Sequence, residues 1–401
     1  MSVLSPFRAL RPAPPAASRV ASVPYDVVST AEARAIASRN PLSFLHVTRS
    51  EIDLPPATNS GDDRVYAQAV RNFEALKREA PLVIEASPSL YLYRLRMGAH
   101  EQTGLAGCFS VDEYDRDLIK KHEKTRRDKE DDRTRHIIEL RAQTGVVLLT
   151  YRASAEVQAL TARANTTAPL YDFVADDGIA HTVWPVSGHE AAAFVDAFAR
   201  VPALYIADGH HRAASAARAR TALGGRGESS TFIAVAFPDS DMHILPYHRT
   251  VTDLAGATPA SFLAALATRL IVEPGRATPD RRGEVAMFLD GAWYRLVLPA
   301  PPIATSRADA LDVAVLQREV LEPLLRVGDP RTDKRMDFVG GARGTAELER
   351  RVTSGAAAVA FSLFPVSIDD LMAISDAGGI MPPKSTWFEP KLRDGLLVHL
   401  I

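Results

Sequence analysis

The five residues Asp208-Gly209-His210-His211-Arg212 place a carboxylate, a glycine, two imidazoles and a guanidinium side by side. They follow the apolar run VPALYIA (201–207) and precede the alanine-rich run AASAARARTAL (213–223). This order reads as a buried strand, a tight turn and a helix. A helix N-terminus carries N–H groups without intrahelical partners and the positive end of the macrodipole, so such a turn suits an anion. Gly209 would let the anion approach the backbone. Arg212 could grip phosphate or carboxylate with its planar fork, and His210 and His211 could hydrogen-bond phosphate. Asp208 is open to three roles: helix N-cap, metal ligand or general base. The reading without function is an N-cap aspartate followed by solvent-exposed histidines.

Three further sets have chemical potential. In Lys120-Lys121-His122-Glu123-Lys124-Thr125, lysines could neutralise polyphosphate, and Glu123 could hold magnesium or take a hydroxyl proton. The surrounding stretch 115–144 is charged almost throughout, which a solvated helix explains equally well. Lys384-Ser385-Thr386, after Pro382-Pro383, has the residue types of a phosphate loop but lacks GxxxxGK(S/T), so it is no Walker A motif; a structural clasp is the alternative. Tyr25, Asp26, His46, Arg49 and Glu51 form the last set. Arg49 and Glu51 lie two apart on an expected strand and would share a face. They could hold a zwitterionic amino acid or simply pair with each other. His248-Arg249 is similarly either a phosphate contact or a buried structural pair.

Positioning these residues needs a large folded chain. The 401 residues are 46% hydrophobic and 24% charged, ordinary for globular protein and long enough for two or three packed units. Expected helices include 64–80, 154–166, 188–200, 210 onward, 258–270 and 312–326, with one starting at Ser29 through a capping box to Glu32. Expected strands include 89–97, 103–111, 145–152, 203–207, 231–237 and 356–364, with hairpins turning at Asp176-Asp177-Gly178 and Asp290-Gly291. The fold class is therefore α/β, mixed with α+β. Three regions are expected: an N-terminal α/β region (1–105), a central region with both motifs (106–255) and a C-terminal α/β region closing on the site (256–401).

Composition excludes several functions. A net charge of −2 argues against a nucleic-acid or anionic-membrane binder. The lone Cys108 excludes an intrachain disulfide framework and a cysteine-rich zinc site, and it fits a reducing compartment. Residues 1–21 lack the apolar core of a secretory signal, and no apolar run reaches the ~18–20 residues of a membrane span. A cytoplasmic protein is expected. There is no GxGxxG, HExxH or GxSxG, so dehydrogenase, zincin and serine-hydrolase readings have no support.

The DGHHR segment after an apolar strand resembles the phosphate-binding turn of the ParB/sulfiredoxin-like fold, where the free-serine kinases carry the same five residues. Over nearly its whole length the chain resembles an uncharacterised bacterial and archaeal family, domain of unknown function 1015. The shared segments are VPYDV (23–27), PLSFLHVTRSEIDLP (41–55), KHEKT (121–125), DGHHR (208–212), LPYHR (245–249), DFVGG (337–341) and MPPKSTWFEPKL (381–392). Genes of that family often accompany serine-biosynthesis genes. The resemblance implies additional subdomains around a ParB/sulfiredoxin-like site. It also implies a nucleotide-dependent phosphotransferase using ATP, or another nucleoside phosphate, and magnesium on a small hydroxylated metabolite, with free L-serine leading.

In that scheme Asp208 and Glu123 are the catalytic base and magnesium ligand in either order. Gly209, His210, His211, Arg212, Lys121, His122, Lys124, Thr125, Lys384, Ser385 and Thr386 bind phosphate or nucleotide. Tyr25, Asp26, Arg49, Glu51, His248 and Arg249 bind substrate. The chain is far longer than those kinases, and no position matches their catalytic glutamate, so the base stays open. Two alternatives remain: a metal-dependent phosphatase or hydrolase using Asp208, His210, His122 and Glu123, and a nucleotide-binding regulatory module. Oligomeric state is not legible.

Overall fold

The computed structural model describes residues 4–59, 61–80, 82–303 and 305–401. It has two compact units, one of residues 1–242 with 390–401 and one of residues 243–389.

The first unit is organised by one mixed sheet of nine strands among the described residues. Its order runs Ile119–Lys120, Leu204–Asp208, Val147–Tyr151, Thr231–Pro238, His100–Ser110, Leu90–Met97, Ala180–Val186 and Tyr171–Val174, with Leu4–Ser5 also paired to His100–Ser110. The runs VLLTY and LYIA are almost wholly buried because both faces of the central sheet are covered. Val147, Leu149, Ile206, Phe109, Phe198 and Phe232 share one continuous core. The helix His210–Ala222 turns small residues inward: Ala213 and Ala216 are buried in that core, and Ser215 is buried beside them. Short side chains let its axis approach the sheet closely. The helix Arg127–Leu140 is fastened to it by Ser215 Oγ donating to Glu130 O at 3.3 Å and by Arg218 pairing with Glu130 at 3.1 Å.

The second unit carries an antiparallel six-stranded sheet among the described residues. Its order is Ile271–Pro274, Ala292–Val297, Glu284–Leu289, Val359–Leu363, Tyr247–Val251 and Met336–Gly340. The hairpin at Asp290-Gly291 turns with positive φ at both residues (48° and 79°), as the Asp-Gly pair requires.

Local signals match the elements well. The Ser29–Glu32 capping box is present with both hydrogen bonds. Longer-range divisions differ from expectation. The strand His100–Ser110 crosses the expected boundary at 105 and pairs on both sides, so regions 1–105 and 106–255 share one sheet. Tyr247–Val251 falls with the second unit, and residues 390–401 return to the first. Strand pairing of this kind leaves no local signature. Arg49 and Glu51 do not share a strand face: they lie where the short helix Leu45–Thr48 gives way to a 3-10 turn at Ser50–Asp53. The expected helix 312–326 is α-helical only over Asp312–Leu316 and then widens into a π-turn at Gln317–Leu321.

Candidate functional site

The strand Leu204–Asp208 lies parallel to Ile119–Lys120, with Leu204 opposite Ile119 and Tyr205 opposite Lys120. Both chains therefore leave the sheet at the same end, which brings the KHEKT loop beside the DGHHR turn. Carboxyl ends of neighbouring parallel strands are where open α/β sheets bind ligands. The chain turns at Gly209, whose φ of 97° lies in the left-handed region, and the helix starts at His210. Gly209, not Asp208, is the N-cap, so the capping role considered for Asp208 is replaced. Asp208 ends the strand, and its carboxylate meets Lys391 Nζ at 3.1 Å.

The two histidines join loop to turn. The backbone N–H of His122 donates to His210 Nε2 at 3.4 Å, and that of Arg126 donates to His211 Nε2 at 3.0 Å. His210 is buried, and its other nitrogen lies 3.8 Å from Glu123 Oε2. The His122 ring stands edge-on to it at 4.4 Å, and burial pushes the His122 imidazole down to about 4, so it is neutral at neutral pH. Each of His210 and His211 thus fastens the loop to the turn through one ring nitrogen. Thr125 hydrogen-bonds Glu130. Lys124 is exposed, whereas Lys121 pairs with Asp117 at 2.8 Å over the Tyr114 ring.

Arg212 departs most from expectation. Its side chain is buried, one terminal nitrogen donates to both Asp26 oxygens at 2.8 Å, and the other donates to Val146 O at 2.7 Å. Burial alone would lower its pKa, but the charges of Asp26 and Asp208 outweigh burial and hold it above the ordinary arginine value. Both terminal nitrogens are thus engaged and anchor the VPYDV segment, while Nε is buried with no hydrogen-bond partner among the described residues. Tyr25, also buried, carries the Arg133 guanidinium at 4.4 Å and Arg212 at 5.8 Å over its ring. Burial pushes the neighbouring Asp394 carboxyl up to about 7, with Arg212 opposing the shift and Asp26 adding to it.

Arg49 and Glu51 form the closed pair considered for them: Nε lies 2.9 Å from the carboxylate, and Nη2 donates to Thr30 at 2.7 Å. His46 pairs with Asp53 at 2.9 Å, and that hydrogen bond raises its pKa.

His248, Arg249, Lys384, Ser385 and Thr386 belong to the second unit. His248 Nδ1 accepts from the Leu363 N–H at 3.3 Å, and burial pushes that imidazole down to about 4. Arg249 is buried and, among the described residues, donates only to backbone carbonyls, those of Tyr247, Pro383 (3.0 Å) and Lys384 (2.9 Å). Ser385 donates to Pro382 O at 2.6 Å, Lys384 has a φ of 54° with Nζ 5.7 Å from the Tyr247 ring, and Thr386 is half-buried.

Lys391, Arg133 and Asp394 were missed by sequence reasoning. Lys391 sits inside a shared segment, which was a usable signal. Arg133 was hidden in a charge run, and Asp394 in an unremarkable tail. Among the described residues no group of three or more His, Cys, Asp or Glu is arranged to hold a metal ion. No helix among them is long and apolar enough to cross a membrane.

Residues 4–314 match the model of the family described as Protein of unknown function (DUF1015). The chain belongs to this family. No curated protein matches its sequence. Among solved structures, a conserved hypothetical protein from Pyrococcus furiosus is 14% identical with a TM-score of 0.37, covering 74% of this chain and 95% of its own. SbnI with a C-terminal truncation from Staphylococcus aureus is 14% identical with a TM-score of 0.41, covering 74% and 87%. A free serine kinase in complex with AMP is 12% identical with a TM-score of 0.36, covering 72% and 91%. These likenesses are too distant to carry residue roles across.

Proposed function

We propose that this family member is a nucleotide-dependent phosphotransferase acting on a small hydroxylated metabolite, with free L-serine as the leading substrate. The observation that carries the reading is the joined pair of strand ends. There a left-handed glycine opens a helix N-terminus beside two part-exposed carboxylates, Asp208 and Glu123 (side chains 29% and 34% exposed), and Lys391. Phosphate oxygens would be received by main-chain N–H groups at the start of the helix, a favourable place for negative charge. Asp208 would take the proton of the attacking hydroxyl, with the Lys391 ammonium held 3.1 Å from its carboxylate. Glu123 would complete the acidic side of the site. Magnesium binds through one or two carboxylates together with substrate phosphates rather than in an all-protein cage, which suits these two groups. Bound there, it would neutralise charge on the transferring phosphates. Arg212, Asp26 and Tyr25 act from behind the turn as positioning residues.

The test is incubation of the full chain with ATP, magnesium and a panel of hydroxylated metabolites, scored by mass spectrometry. Phosphoserine formed in step with ADP is the expected result. No phosphorylated product from any panel member sinks the reading.

A further inference from the structure

Lys391 meets Asp208 from a segment without regular structure: residues 390–393 belong to neither helix nor strand. No ladder or helical turn therefore sets where its ammonium falls. Leu392 is buried, but apolar burial is non-directional and does not fix the rotation of the chain. A polar cluster one residue further on supplies direction. Arg393 is buried. Its Nε donates to His181 Nε2 at 3.2 Å, a terminal nitrogen pairs with Asp177, and its backbone N–H donates to the Tyr93 hydroxyl oxygen at 3.4 Å. Burial, and then the Arg393 charge, push the His181 imidazole down to about 3, so the ring is neutral. With Nε2 accepting, Nδ1 carries the proton and donates to the same Tyr93 oxygen at 2.9 Å. The imidazole is stacked on Phe173 with centroids 5.3 Å apart. Tyr93 and His181 stand on the paired strands Leu90–Met97 and Ala180–Val186, and Asp177 lies in the hairpin turn before the second of these. Asp394 follows with two backbone hydrogen bonds to Ser22, at 2.9 and 3.1 Å.

We propose that Arg393 is a positioning residue for the candidate site: latched by Tyr93, His181 and Asp177, it holds the terminal segment so that the Lys391 ammonium meets the Asp208 carboxylate. The latch stands on the hydrogen bonds alone, whereas its effect on turnover rests on the phosphotransferase reading.

The experiment treats the full chain and its variants with an amine-acylating reagent and follows each lysine by peptide mass spectrometry. Lys391 is paired and its side chain is 11% exposed, so it should react slowly in the native chain. Arg393→Met should speed its acylation about tenfold or more, the scale of hydrogen bonds to a charged group. Arg393→Lys keeps the charge but loses the fork, and should fall between. Because Arg393 is buried and its loss could unfold the unit, Asp177→Ala serves as a second variant. Its side chain is 44% exposed, so the fold should survive and the gain should be smaller, about threefold. Lys77, on the helix Asp63–Glu79, should react at its native rate in that variant. An unchanged Lys391 rate in Asp177→Ala, or an equal rise at Lys77, overturns the latch. The second arm is turnover. Asp177→Ala should lower kcat about threefold with KM for ATP unchanged, and should have no further effect in a Lys391→Met background, since both act through one ammonium. A further loss in that background overturns the positioning role. A native chain without turnover removes the phosphotransferase reading and leaves the acylation rates to decide the latch.

Discussion

Arg212 and Asp26, 186 positions apart in sequence, meet in a two-pronged ion pair at 2.8 Å that ties the VPYDV segment to the helix of the DGHHR turn. The arginine end is buried and the aspartate side chain is 38% exposed, so the pair sits at the inner edge of the candidate site. That arrangement makes Arg212 a structural strut. Arg212→Met should lower stability by about 2–4 kcal/mol, somewhat below the full buried-pair range because Asp26 is partly solvated. A double-mutant cycle with Asp26→Leu, followed by denaturant unfolding, should return a coupling energy of at least about 1 kcal/mol. A phosphate clamp would behave in the opposite way, with nucleotide affinity falling about tenfold while the unfolding midpoint stayed put.

Asp208 and Lys391 should separate from that pair in their phenotype. Neither side chain supports the core, and Asp208→Asn keeps size and polarity, so its thermal midpoint should barely move. Product formation should fall by about a hundredfold or more, the usual scale for losing a general base. Lys391→Met should leave the base in place but remove the ammonium it meets at 3.1 Å. Product formation should then fall by about tenfold with the thermal midpoint unchanged, the scale of a hydrogen bond to a charged group. Unchanged turnover would mean that Lys391 does not act on the base.

Gly209 tests backbone rather than side chains. At its φ of 97°, an added Cβ would be strained and would sit 3.3 Å from Arg212 Cδ and 3.4 Å from Val147 Cα. Gly98, at φ 60°, has nothing within 4 Å. Gly98→Ala should therefore report strain alone, about 1 kcal/mol, and Gly209→Ala should exceed it, toward about 3 kcal/mol. Urea unfolding of the two variants makes the comparison. Equal losses would show that crowding at the turn is unimportant.

The local grammar of this chain was legible: the capping box at Ser29, the Asp-Gly hairpin, and the strand–turn–helix at 204–222 follow from periodicity and turn chemistry. What was not legible depends on side chains meeting across distance. DGHHR announces an arginine, but only the fold reveals that Asp26 has already taken it. The same applies to the histidines, whose ring nitrogens are engaged by N–H groups of a loop 85 and 88 residues away. Lys391 reaches Asp208 because the last residues rejoin the first unit, and a one-dimensional pattern has no way to encode that return. Five of the seven shared segments fall within residues 4–314, the part that the family model matches, and DFVGG and MPPKSTWFEPKL lie beyond it.

Stability against pH should have an unusual alkaline component, carried by Asp394. Burial pushes this carboxyl up to about 7, against an ordinary value of 3.8. Between those values the folded state holds a proton that the unfolded state has released. Stability falls with pH wherever the folded state binds more protons, so the contribution is full below pH 3.8 and is lost as pH rises through about 7. Buried histidines act in the other direction. His122 and His136, pushed by burial down to about 4 and about 3 from 6.5, stay neutral in the fold. Their contribution is full above pH 6.5 and is lost as pH falls toward those values. Asp394→Asn keeps the shape and removes the titration. Chemical unfolding at pH 5, 6, 7 and 8 should show the native chain losing stability relative to the variant from pH 5 to about 7, with the difference levelling off by pH 8, while the buried histidines weaken both proteins on the acid side. Parallel curves for the two proteins from pH 5 to 8 would place the Asp394 proton on solvent terms and remove the carboxyl from this account.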